Sequence, residues 1–324
     1  ASGFTNCVSL NESNINSANY SLATGKSTTA SALHATAMGL SSTASGAESF
    51  AAGNTVLASG PQSVAFGKDT IASGTSATAL GYNNTASGIY SFTVGSNNTA
   101  SGDHTHAIGT SNLASSAYAI AIGQTNQATA LNALAIGRQS VASGANSLSF
   151  GYLSAASGIG AISLGTSSTA SGDYSFAVGD SSVSGQNYSV ALGLGTTSSS
   201  MYQTVIGKYN SSSSVTGELF SIGVGSSDAS RLTGLRFINT GGVSSLTVTG
   251  DIRATGKLLD SSGASGTAGQ LLSSTGTTTA WINDNVGSVS GSGNGDILAM
   301  WTGSGASTTL GNSLISQSTS SVNN

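Results

Sequence analysis

Glycine returns every 14 residues along most of this chain, at positions 25, 39, 53, 67, 81, 95, 109, 123, 137, 151, 165, 179, 193 and 207. A fixed period over so many copies marks stacked, quasi-one-dimensional units rather than one globular core. A second glycine falls seven residues after many of these, at 46, 60, 74, 88, 102, 144, 158 and 172, so each period divides into two short halves. The first half reads S-x-A-Φ-G, as in Ser91-Phe-Thr-Val-Gly95 and Ser175-Phe-Ala-Val-Gly179. The second reads T-A-S-G, as in Thr43-Ala-Ser-Gly46 and Thr169-Ala-Ser-Gly172. Five-residue runs closed by glycine are too short for helices, and glycine at this frequency removes helix propensity. Glycine at each corner is expected to supply the positive φ of a tight turn. The expected fold is all-β: a parallel solenoid of 14-residue coils, each with two strands and two turns. At ~4.8 Å per coil, the fourteen coils would make a rod on the order of 65 to 70 Å long.

Side chains alternate between the faces of a strand, which assigns columns to the repeat. The residue before the first-half glycine is apolar in Met38, Phe66, Leu80, Val94, Ile108, Ile122, Ile136, Phe150, Leu164, Val178, Leu192 and Ile206. Two residues earlier, on the same face, stand Leu22, Phe50, Val64, Phe92, Ile120, Leu134, Leu148, Ile162, Phe176 and Val190. The opposite face carries small residues such as Ala37, Ala51, Ala65, Ala79, Ala121, Ala135 and Ala177. The second half has its own alanine column: Ala44, Ala58, Ala72, Ala86, Ala100, Ala142 and Ala170, flanked by Thr and Ser. Two such columns facing each other would fill a very narrow interior and leave the large apolar row outside. A strip of that length is not tolerated on an isolated chain, so we expect it to be buried against identical chains around a shared axis, most simply as a homotrimer. The alternative is a single-chain roll with the large residues inside and alanine facing water.

Composition narrows the function classes. Charged residues make up 6% of the chain and hydrophobic ones 38%, a balance unlike that of a disordered, charge-rich segment. The single Pro61 excludes collagen. A net charge of -4 with no basic cluster predicts no nucleic-acid partner. No run approaches the ~20 apolar residues that span a bilayer, so membrane insertion is not expected. The chain starts with Ala1, which leads us to expect a processed chain or a piece of a longer one. The lone Cys7 forbids an intrachain disulfide and is read as an unreactive thiol. Twelve carboxylates and three histidines form no nucleophile and base set, so catalysis and a bound cofactor are not expected.

The alternation of S-x-A-Φ-G with x-x-T-A-S-G over residues 20–210 resembles the head repeats of YadA-like trimeric autotransporter adhesins. That resemblance implies a left-handed parallel β-roll assembled as a trimer. Beyond Asn210 the phase is lost. Leu246-Thr-Val-Thr-Gly-Asp-Ile-Arg-Ala-Thr-Gly256 and Gly266-Thr-Ala-Gly-Gln-Leu-Leu-Ser-Ser-Thr-Gly276, leading to Ala280-Trp-Ile, look like segments of phage tail fibres and related bacterial surface fibres. Ile297-Leu-Ala-Met-Trp-Thr-Gly303 with Thr309-Leu-Gly-Asn-Ser-Leu-Ile315 does too. The expected organisation is a connecting segment (1–19), the solenoid (20–210), a β-rich collar (211–286), and a Gly/Ser linker with a terminal fibre segment (287–324). The function this implies is a virion tail-fibre segment that mediates host attachment, with other fibre or baseplate proteins and a host surface glycan or protein as partners. The alternative is a trimeric bacterial surface adhesin or extracellular filament subunit. The sequence departs from autotransporters in showing neither a heptad stalk nor an anchor barrel.

Three groups of residues are candidate sites. His104 and His106 are two apart, which on one strand would point both to the same face, and His106 falls in the apolar column. Around a trimer axis six imidazoles would suit a transition metal, or His106 alone would hold an axial metal, anion or water. Tyr90, Tyr118, Tyr174, Tyr188 and Tyr202 share the column of His104 and His34; they are read as stacked corner packing or as a glycan- or protein-contact strip. Asn83, Asn84, Asn97, Asn98, Asn126 and Asn132 are assigned to turns, where asparagine tolerates left-handed geometry. A further reading takes Thr43, Thr85, Thr99 and Thr169 as a flat, ice-binding hydroxyl array.

Overall fold

One coil, from Ser91 to His104, shows why 14 residues close a turn. Phe92–Ser96 forms the long strand and Thr99–Ala100 the short one, and the backbone reverses between them at Asn97 and again at His104. The structure is a computed structural model that describes residues 6, 8–10, 13–211, 215–253, 255–267, 270–274 and 278–283, with the backbone of the strands at 297–301 and 310–316. Cys7 and the linker at 288–295 lie outside the described residues. No helix occurs among them.

Each long strand pairs in parallel with its equivalent 14 residues on, as in Phe92↔His106 and Gly95↔Gly109. The short strands do the same, as in Ala86↔Ala100. The two ladders form an 18-stranded and a 14-stranded sheet on opposite sides of the coil, so the expected β-solenoid is what the chain forms. Val8–Leu10 and Ile15–Asn16 already belong to these ladders, ahead of the point where the repeat is visible in the sequence.

Alanine faces inward. Ala37, Ala51, Ala65, Ala79, Ala86, Ala100, Ala121, Ala135, Ala142 and Ala170 are completely buried, whereas Phe66 and Phe150 are 55% and 52% exposed. The interior is thus narrow and filled largely by methyl groups, and the single-chain roll with large residues inside is not the one adopted.

The turn chemistry differs from the expectation that glycine supplies each positive φ. Left-handed φ recurs every seven residues, and 28 non-glycine residues among those described carry it, including Glu48, Gln62, Tyr90, Asn97 and His104. Each such residue costs on the order of 1 kcal/mol. The stack offsets this, because the left-handed residue donates its N–H to the coil before it, as His104 does to the Ile89 carbonyl at 2.7 Å and Tyr118 to Asp103 at 2.9 Å. The T-A-S-G glycines have ordinary φ. Gly46 is glycine because a Cβ there would sit 2.0 Å from the carbonyl oxygen of Gly60 in the next coil. The first-half glycines meet both demands: Gly95 has φ +116, and its Cβ would lie 2.0 Å from Gly109 O.

Although the sequence phase is lost after Asn210, the ladder is not. Glu218–Val224 adds one more parallel strand, with Gly207↔Gly223 in register across a two-residue insertion. Thr233–Thr240 and Val243–Val248 then continue the same sheet as antiparallel strands. Behind this capping hairpin Arg236 lies against Glu218, with Nε 3.0 Å from Oε2 of a carboxylate that is 1% exposed. That pair falls outside hydrogen-bond geometry, so the contact is ionic. Arg231 closes the same end, donating from Nη1 to Gly195 O at 2.7 Å and to Asn210 O at 3.3 Å.

Residues 252–324 form a separate unit. Gln270–Ser274 pairs antiparallel with Thr279–Asn283, and Ile297–Trp301 with Leu310–Ser316. Trp281 anchors the first hairpin by donating Nε1–H to Ala264 O at 3.0 Å. Asp260 accepts hydrogen bonds from the Ser262 hydroxyl and from the Ser262 and Ala264 amides, which hold its carboxyl below the usual carboxylate range.

Candidate interaction surfaces

The outer face of the long strands is built by the alternation that places alanine inside. Leu80, Val94, Ile108, Ile122, Ile136, Leu164, Val178, Leu192 and Ile206 stand on it half-buried, covered only by their neighbours along the same sheet, and Phe66 and Phe150 are exposed. Parallel pairing sets like upon like, as in Leu80↔Val94 and Ile122↔Ile136. The result is a continuous apolar ridge along one side of the rod, the feature that marks an interaction surface.

His104 and His106 do not form the expected pair on one strand. The strand begins at His106, while His104 sits in the preceding turn with φ 56, where extended alternation no longer applies. The reason is the seven-residue recurrence of left-handed corners, which includes position 104. His106 is half-buried on the apolar ridge, its ring 5.9 Å from that of Phe92. Among the described residues no three His, Cys, Asp or Glu side chains come together.

His104 instead belongs to an aromatic ladder at the corners. Its ring stacks on Tyr90 at 5.1 Å and on Tyr118 at 5.0 Å. Tyr174, Tyr188 and Tyr202 form a second ladder, with spacings of 5.4 and 5.3 Å. Asn132, Asn146 and Gly160 fill the coils between the two. All five tyrosines are at least half exposed. The rings face one another, so the surface each ladder offers to solvent is ring edge and hydroxyl.

The asparagines divide into two classes. Asn83, Asn97 and Asn132 occupy left-handed corners as expected, with φ of 50, 58 and 55. Asn84, Asn98 and Asn126 do not: they are buried with Asn112 in an interior column. There Oδ1 of Asn84 accepts the backbone N–H of Asn98 at 2.8 Å, and Oδ1 of Asn98 accepts that of Asn112 at 3.0 Å. Asn98 Nδ2 donates to Val94 O at 3.0 Å and Gly109 O at 2.7 Å, so every polar atom of the amide is used. Position within the seven-residue half-coil, rather than residue type, decides between these fates.

The threonine array is broken. In register with Thr43, Thr85, Thr99 and Thr169 stand Leu57, Ile71, Leu113, Gln127, Val141, Ala155 and Val183. A column so mixed gives no flat hydroxyl lattice. The expected β-rich collar at 211–286 contains the capping hairpin, but the sequence reading missed that this hairpin continues the solenoid sheet and buries Glu218. The alternations in Leu235-Arg-Phe237 and Leu246-Thr-Val248 are too short to show that continuation without the pairing.

With this geometry in place, the chain was compared with known proteins. The family model described as YadA head domain repeat (2 copies) matches residues 17–42, 30–55, 58–84, 72–98, 100–126, 128–154, 156–182 and 176–196. Together these segments take in more than half of the chain. No curated protein matches it.

Proposed function

The chain belongs to the YadA head-repeat family, and from that premise we propose that it is a non-catalytic adhesive fibre, a homotrimer displayed outside the cell or at its surface. The observation that carries the reading is the apolar ridge. An interior of alanine methyls is small, and the large aliphatic and Phe side chains that would ordinarily make a core are on the outside. Burying such side chains contributes about 25 cal/mol for each Å² removed from water, a gain open to this chain only by association. The left-handed roll and the number three rest on the family. Light scattering on the purified chain tests the proposal, with three copies per particle expected; a dilute, stable single chain would remove its basis.

Within that reading, a virion tail fibre is the finer proposal. It is supported by the likeness of 246–256, 266–283, 297–303 and 309–315 to fibre segments, and a host surface glycan or protein would be its target. Antibody against the solenoid should then decorate purified phage particles under the electron microscope. Decoration of bacterial cells instead would favour the surface adhesin. In a trimer His106 would be the ridge imidazole nearest a shared axis, and an axial metal or anion there is testable by elemental analysis of the purified assembly.

A further inference from the structure

The apolar ridge does not stop where the repeat stops. In the last coils its two columns run Val190, Thr204, Phe220 and Leu192, Ile206, Ile222, carried forward by parallel register. At the switch to antiparallel pairing the register sets Phe237 opposite Phe220 and Leu235 opposite Ile222. One strand further, Leu246 pairs with Phe237 and Val248 with Leu235. Residues directly opposite in a sheet share a face. Both columns therefore cross the change of strand direction and continue for two strands beyond the last parallel coil.

Those two strands have no roll behind them. The reverse face of the hairpin carries Arg236, Ile238, Val243, Ser245 and Thr247, with Arg236 committed to Glu218 at the end of the interior. Val243–Val248 is an edge strand whose residues are exposed apart from half-buried Val248. Phe237 and Leu246 are 45% and 54% exposed on the outward face. A hairpin with both its aromatic residue and its leucines on the side away from its own chain is ordinarily held by a partner on that side.

We propose that the capping hairpin is an inter-chain clamp: the outward face of Phe237, Leu246, Leu235 and Val248 packs on the same hairpin of a second copy of this chain. The occupant follows from continuity, since these residues prolong the two ridge columns in register and add no charge. The proposal rests on the self-association argued above. The hairpin then fixes the axial register of the copies. Successive coils of the solenoid are nearly alike, so a slip of one coil along the ridge would still match apolar to apolar. A hairpin that occurs once per chain is matched in one register alone.

The test is site-directed cross-linking in the full chain, with Cys7→Ser removing the native thiol. Leu164→Cys on the solenoid ridge, Leu246→Cys on the outward face of the hairpin and Thr247→Cys on its reverse are each treated with a short bis-maleimide. Covalent multimers are expected from Leu164→Cys and Leu246→Cys, and single chains from Thr247→Cys. Linking at Leu164→Cys without linking at Leu246→Cys overturns the clamp and leaves the ridge standing. No linking at either position removes both, and equal linking at Leu246→Cys and Thr247→Cys overturns the clamp in favour of unspecific contact.

Discussion

The imidazole of His104 lies within 5° of parallel to the ring of Tyr118, and their centroids are 5.0 Å apart. Tyr90 covers the opposite face at 5.1 Å. With both faces engaged, His104 serves as one rung in a ladder of rings. Replacing it with tyrosine, the residue at the same position one coil away on either side, should leave stability unchanged. His104→Ala should cost about 1 kcal/mol, the scale of an aromatic pair at a partly exposed site. Urea denaturation of the two variants checks this, and equal losses from both would contradict it.

The Asn84 to Asn126 column makes a stronger prediction. Asn98→Ala would strand the amide of Asn112 and the carbonyls of Val94 and Gly109, which Asn98 serves at 3.0, 3.0 and 2.7 Å. Unsatisfied buried groups cost roughly 1–3 kcal/mol each, so a total of several kcal/mol is expected after local relaxation. Asn98→Ser should be milder. Ser140 occupies the equivalent position and its hydroxyl reaches the Ile136 and Gly151 carbonyls at 3.1 and 2.8 Å. Hydrogen exchange should show fast amides at 98–112 in the alanine variant and slower ones in the serine variant.

These two sites also show what could be read from the amino acids. The glycine period and the alanine columns were sufficient for the coil, because a Cβ at Gly46 or Gly95 would meet backbone at 2.0 Å and the inward columns are filled mostly by small residues such as Ala51 and Ala100. Asn97 and Asn98, by contrast, are neighbours of the same type. One takes a left-handed corner and the other the interior, and only the phase of the corners within the coil separates them. His104 was assigned to a strand for the same reason. β-structure was expected at 211–286, but the pairing of the hairpin with the last coil was not legible, since it depends on a register shift near Ile222 that no local pattern encodes.

At that cap, Glu218 is 1% exposed and its Oε1 makes no hydrogen bond. Arg236→Leu would leave a buried carboxylate without its counter-charge, a loss of about 3–5 kcal/mol for a pair of this kind. The double variant Glu218→Gln with Arg236→Leu should regain most of it. Thermal unfolding should begin at residues 218–248 in the single variant, which limited proteolysis there would register. Unchanged protease resistance would mean that the cap is held by its backbone ladder alone.

The inward and outward faces of one long strand should respond to substitution in opposite ways. Thr93 is completely buried and Val94 stands half-buried on the ridge. Thr93→Leu forces extra volume into a narrow interior built mostly of alanine, and overpacking of that kind costs about 1–3 kcal/mol or more. Val94→Asp adds no volume inside the coil, and its charge can be hydrated while the chain is alone. In an assembly the same carboxylate would be buried beside the apolar row at a cost of several kcal/mol. Thr93→Leu is therefore expected to lower the unfolding midpoint at any protein concentration. Val94→Asp should leave the circular dichroism of the chain intact and shift its mass in solution toward one copy. If both substitutions unfolded the chain alike, the division between a private alanine interior and a shared outer row would be wrong.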